Sequence, residues 1–244
     1  MAQHHLQLRS LADGGLSRRR LLGAVTAAAL VGGEAGRVSA QLRVDITRGV
    51  VEPIPIAVSP FAGTSPAERE RAQAVADVIA GDLERSGLFE VIDRRAYIQS
   101  PEELREGGVP RFADWRQINA QALVSGTVQA APGGQLGIEF RLWDVFAGEQ
   151  MRGLRFDAPD AAWRRIAHKI ADQVYERLTG EPGYFDTRIA YVAETGPAGR
   201  LSKRIAVMDW DGANNRYLTD GRFLALTPRF SPDGTRVAYL GFRQ

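Results

Sequence analysis

A reaction centre needs a nucleophile, a base or a set of metal donors held close together, and this sequence offers few candidates. His168 is the only histidine after His5. It stands two positions beyond Ile166 in a helical pattern, off the apolar stripe, so it reads as a surface or partly packed imidazole rather than a ligand or base. Asp209, Asp211 and Asp220 fall near two turns, and carboxylate oxygens gathered in loops are the donors Ca²⁺ takes. Turn chemistry accounts for them without an ion, because Asp211-Gly212, Asp220-Gly221 and Asp233-Gly234 supply the positive-φ positions that tight hairpins need. The sequence has no Gly-x-Ser-x-Gly elbow and no phosphate-cradling glycine loop, and with no Cys it has no thiol nucleophile. No catalytic, cofactor-binding or metal-ligating residue is therefore assigned, and the expectation is a protein that is not an enzyme.

Recognition remains. Trp210, Tyr217, Phe223 and Phe230 can line a binding surface, or can form the core between stacked sheet units, where large apolar side chains usually go. Lys169 and Lys203 are the only lysines among 31 basic residues, and no basic run with interleaved aromatics follows Arg20, which argues against nucleic acid. The formal net charge is +2, but five basic and two acidic residues lie in the first forty positions, leaving 26 against 27 beyond them.

Those forty positions have the parts of an export signal. Arg18-Arg19-Arg20 precedes an apolar run from Leu21 to Val31, and Val38-Ser39-Ala40 offers small residues for cleavage between Ala40 and Gln41. Ser17-Arg-Arg-Arg-Leu-Leu22 also fits a twin-arginine signal, so the route is open between the two export systems. The apolar run is shorter than the ~20 residues of a membrane-spanning helix. An exported protein free of Cys fits an oxidising periplasm in which no disulfide is used.

The elements that would position any surface follow in order. Gln41-Leu42-Arg43-Val44-Asp45-Ile46-Thr47 alternates apolar and polar side chains as a half-buried strand does. It can be the first strand of the next domain, or an exposed arm that adds itself to the edge of a partner's sheet. Pro53-Ile-Pro55 ends an arm spanning 41–53. Ile54 to Phe61 reads as a buried strand, and Ser65-Pro66-Ala67-Glu68 opens a helix with Ala72, Val75, Val78, Ile79 and Leu83 on its inner face, stopped at Gly87. Leu88 to Asp93 is a strand, Phe112 to Gln121 a shorter helix with Trp115 and Ile118 inward, and Ala122–Gln129, Leu136–Val145 and Gln150–Phe156 form a meander. Asp160 is expected to cap a last helix with Trp163, Ile166, Ile170, Val174 and Leu178 as its stripe, closed by Gly180, and Gly180-Glu-Pro-Gly183 to act as a hinge. The expected class is α+β for 54–181, a mixed sheet with two to three helices.

From 186 to 244 the pattern becomes repetitive. Arg188-Ile-Ala-Tyr-Val-Ala-Glu194 is answered 48 residues later by Arg236-Val-Ala-Tyr-Leu-Gly-Phe242, a period that suits a propeller blade. Four short strands ending at Phe230 would make one blade, followed by the first strand of another. Because a blade buries its faces only against neighbours, the chain is expected to be a fragment of an incomplete β-propeller.

Phe230-Ser-Pro-Asp-Gly-Thr-Arg-Val-Ala-Tyr239 resembles the repeat that tiles the propellers of the TolB family, periplasmic members of the Tol-Pal system. Arg48-Gly-Val50 and Pro55-Ile-Ala-Val-Ser-Pro-Phe61 are similar to the start of that family's amino-terminal domain, and the order of signal, domain and blades agrees over essentially the whole chain. The resemblance implies six blades in the complete protein. It implies that Gln41 to Thr47 form the arm that binds the C-terminal domain of TolA, and that the propeller binds the lipoprotein Pal, with other outer-membrane lipoproteins as further partners. It also implies a monomeric periplasmic scaffold supporting outer-membrane invagination at division. Similar propeller repeats stand in front of some secreted serine peptidases, which is the alternative reading.

Overall fold

The computed structural model describes residues 52–105, 108–197 and 200–242. Residues 40–51, which hold the cleavage site and all but the last two residues of the arm, lie outside them. The chain enters as β1 (Ile54–Val58) and turns into α1 (Pro66–Arg85). The Ser-Pro-Ala-Glu order sets that start as expected. Ser65 Oγ accepts from the Glu68 N–H at 3.2 Å, and the Glu68 carboxylate accepts from the Ser65 N–H at 2.9 Å, a reciprocal cap. Ala72, Val75, Ile79 and Leu83 are fully buried. Gly87, at φ +72°, takes the left-handed conformation past the helix end, and β2 (Phe89–Val91) follows.

After a loop, α2 (Phe112–Gln117) is shorter than the sequence pattern suggests. Asn119, at φ +61°, ends it two residues on, while Trp115 is buried as expected. β3 (Ala122–Ala131), β4 (Gln135–Asp144) and β5 (Glu149–Pro159) then form the meander. Gly133, Gly134 and Gly148 carry positive φ in its two turns. α3 (Trp163–Thr179) follows a short 3₁₀ turn over Asp160–Ala162. Asp160 does not cap this helix, because the intervening turn moves it away from the first N–H groups. Its carboxylate instead accepts from Arg71 of α1 at 2.9 and 3.0 Å.

The sheet order is β2-β1-β3-β4-β5, parallel between β1 and its two neighbours and antiparallel from β3 onward. Strand alternation divides its core between two faces. Ile54, Ile56 and Val58 of β1, with Val124, Val128, Ile138, Phe140 and Leu142, meet α1 and α3. Ala57 and Leu123 point the other way and pack with Leu104, Trp115, Trp143 and Val145. The polar atoms buried on that second face are paired: Trp115 Nε1–H donates to Gln99 Oε1 at 3.1 Å, and Trp143 Nε1–H to Ser125 Oγ at 3.0 Å.

The remaining strands are β6 (Arg188–Thr195), β7 (Ser202–Asp209), β8 (Arg216–Tyr217), β9 (Leu224–Phe230) and β10 (Val237–Phe242). β6, β7 and β8 make one three-stranded sheet, but β9 is not its fourth strand. It pairs antiparallel with β10 across Ser231-Pro-Asp-Gly234 and lies against β6 and β7. The physical reason is local closure. The Asp233 carboxylate accepts from Ser231 Oγ, Thr235 N and Thr235 Oγ1, and Ser231 N donates to Arg236 O at 2.9 Å, which folds β9 back on β10. The repeat is therefore phased one strand earlier than its sequence suggests, with the Ser-Pro-Asp-Gly turn inside a hairpin.

Candidate functional site

The described residues with the densest polar geometry lie where α1 and α3 meet the turn after β7. The segment leaving α3, where the sequence suggests a hinge, is tied back to the helix by hydrogen bonds. Asp172 of α3 accepts from the N–H groups of Phe185 at 2.6 Å and Asp186 at 3.2 Å. Gly183 passes so close that a Cβ there would sit 2.4 Å from the Asp172 Cα. Phe185 is fully buried, and Tyr175, Tyr184, Phe185 and Trp210 form a run of ring contacts from α3 to the blade strands. Trp210 thus packs at this junction. Tyr217 and Phe223 are about half exposed, with the Arg204 guanidinium 3.7 Å from the Tyr217 ring centre, while Phe230 lies under the guanidinium of Arg188.

His168 overturns the surface reading, since it is 2% exposed. Its Nδ1 lies 2.5 Å from Asp82 Oδ2 of α1, and its Nε2 faces Asp211 Oδ2 at 3.8 Å. Asp82 is completely buried and also accepts from Arg85 at 2.7 Å. Asp211 accepts from Arg164 and from Ala213 N at 3.0 Å. Burial by itself would push the His168 pKa down, but the bond to Asp82 and the charges of Asp82 and Asp211 outweigh it and hold it above the ordinary histidine value. Burial would likewise raise Asp211, yet the Ala213 N–H, Arg164 and His168 bring it below the usual carboxylate value.

Of the three turn aspartates, only Asp211 joins this cluster. Asp209 accepts from the Asn214 side chain at 2.5 Å and Asp220 from the Arg222 N–H at 3.0 Å, the local turn roles expected of them. Among the described residues, the carboxylates and imidazole whose donor atoms converge are Asp82, His168 and Asp211. Guanidinium groups already engage both carboxylates, so the cluster is built as a charge network and not as a cation cage. Asp82 was visible in the sequence only indirectly. It lies three residues after Ile79 and next to Leu83, on the buried face of α1.

Beside the network a cleft of about 700 Å³ runs between α3 and the blade strands, lined by Arg164, Arg165, His168, Asp209, Phe230 and Asp233 among others. Among the described residues, no helix is long and apolar enough to cross a membrane.

Comparison with known proteins accounts for this architecture. The family model described as TolB amino-terminal domain matches residues 42–151, and that described as TolB beta propeller domain matches residues 175–244. The Tol-Pal system protein TolB of Paramagnetospirillum magneticum is 50% identical over 203 residues, covering 83% of this chain and 45% of that protein. The protein of the same name from Dinoroseobacter shibae is 51% identical over 202 residues, covering 82% of this chain and 45% of its own length. The chain thus spans less than half the length of the curated relatives it matches. The crystal structure of TolB from Acinetobacter baumannii has the same fold at a TM-score of 0.66 and 24% identity, covering 84% of this chain and 48% of that one. A peptidase reading is not favoured by these relatives. With both family models matched in sequence order and half of the aligned residues identical to those of curated members, the chain belongs to the TolB family of the Tol-Pal system.

Proposed function

We propose that this chain is a non-enzymatic recognition component of the periplasm, linking TolA of the inner membrane to Pal of the outer membrane through two separate surfaces. The arm Gln41 to Thr47 carries the TolA contact. Its alternation of Leu42, Val44 and Ile46 with Arg43, Asp45 and Thr47 suits a strand added to the edge of the TolA C-terminal domain. The propeller carries the contact with Pal, and the pair of contacts supports outer-membrane invagination and integrity during division. The basic, apolar and small-residue order of residues 18–40 supports export to the periplasm, with cleavage after Ala40. The observation that carries the reading is the family membership, with the amino-terminal model matching from residue 42, inside the arm itself.

An arm able to dock on its own protein or to extend gives the two contacts a means of communication. A ligand that prefers one arm state must shift the other, with coupling of about 1 to 3 kcal/mol in typical cases. Removing residues 41–47 from the exported protein is expected to abolish TolA binding in calorimetry and to change Pal affinity by the lost coupling. Unchanged affinity for both partners would overturn the reading.

A further inference from the structure

We infer that His168 is a proton-operated latch between the α/β sandwich and the blade, closed when its imidazolium lies between Asp82 of α1 and Asp211 of the turn after β7. This inference is independent of which partners the protein binds.

The geometry separates the two sides of the ring. Nδ1 is committed to Asp82 within the sandwich at 2.5 Å, whereas Nε2, buried and without a hydrogen-bond partner, points toward Asp211 at 3.8 Å. An imidazolium places an N–H and a positive charge on that second side. A neutral ring that keeps its Nδ1–H on Asp82 instead turns a lone pair toward the Asp211 carboxylate. Losing the proton therefore leaves the sandwich contact in place and replaces attraction with repulsion across the junction. The adjoining cleft, of which His168 is a lining residue, gives the proton a route to solvent.

The surrounding charges are consistent with a cation at this position. Asp82 of α1, itself paired with Arg85, and Asp211 of the blade turn favour it, outweighing the opposing charge of Arg164 on its own helix. Asp172, lower on α3, feels the Asp82 charge and is raised above the usual carboxylate value, first by burial. From the connecting segment come Tyr184, whose pKa is raised mainly by burial, and Asp186, which is paired with Arg165. Arg164 holds Asp211 in either state, so the latch loosens without letting the turn go.

The direction with pH follows from linkage. His168 is raised in the folded protein, so its contribution is complete below about pH 6.5, the unfolded value, and disappears as pH climbs through the higher folded value. The junction should be tight at pH 6 and looser at pH 8.5.

A chain without Cys allows spin labels at introduced cysteines in place of exposed Glu70 in α1 and Arg216 in β8. Electron–electron distance measurements on the otherwise intact protein should give a narrow distribution at pH 6 that broadens at pH 8.5. His168→Gln should show the broad distribution at both pH values, and Asp211→Asn, which leaves the Asp82–His168 contact intact, should lose the pH response. Nitrogen-detected NMR should place the His168 titration above about 6.5. A wild-type distribution indifferent to pH, a response that persists in His168→Gln, or one that persists in Asp211→Asn should the first variant not fold, would overturn the latch.

Discussion

Glu68 serves two elements at once. Its carboxylate closes the cap on Ser65 and also accepts from Thr64 N at 2.9 Å and from Ala130 N of β3 at 2.8 Å, so one residue starts a helix and pins it to the sheet. The Thr64 hydroxyl, followed by the Ala130 and Ser65 N–H groups, brings its pKa down to about 2. A depressed carboxylate contributes stability that is present above its unfolded value of 4.5 and is lost as pH falls toward about 2. Glu68→Gln should destabilise the protein by about 1 kcal/mol at pH 7, a fall in Tm of about 2 to 4 °C, and should flatten the acid limb of the stability curve between those pH values. Calorimetry across that range checks it. The cap was legible because Ser65, Pro66 and Glu68 are sequence neighbours whose geometry is fixed by one turn. His168 was misread because its partners Asp82 and Asp211 lie on other elements, and because buried Ala167 and Ala171 widen the inner face of α3 beyond its large-residue stripe.

Elements were legible where a periodic pattern met a local stop signal, and less so where tertiary contacts decided. The inner faces of α1 and α3 follow from their apolar spacing, and the meander from its glycine turns. The strand partner of β9 did not follow, because its sequence spacing suits either neighbour and the Asp233-centred turn selects β10. The run after Gly180 looked like a hinge from its Gly and Pro, yet Asp172 holds it and Gly183 fits beneath it. Gly183→Ala should drive the segment off α3 and release both Asp172 bonds, costing about 2 to 4 kcal/mol in urea unfolding. A loss below about 0.5 kcal/mol would show that the close approach has no energetic weight.

At the scale of the whole molecule, the sandwich and the blade strands are joined by a buried charge network and an aromatic run, while the residues proposed to bind TolA precede the first strand. That separation makes the account testable in isolation, because an arm that works as an added strand carries its contact in its own backbone and alternating side chains. The most direct measurement is titration of the TolA C-terminal domain with a synthetic peptide of residues 41–53, followed by amide chemical shifts and calorimetry. The account predicts saturable binding confined to one strand edge of that domain, abolished when Val44 is replaced by proline, which removes a ladder donor. A peptide that leaves every amide unmoved, together with unimpaired TolA binding by a protein lacking the arm, would contradict it.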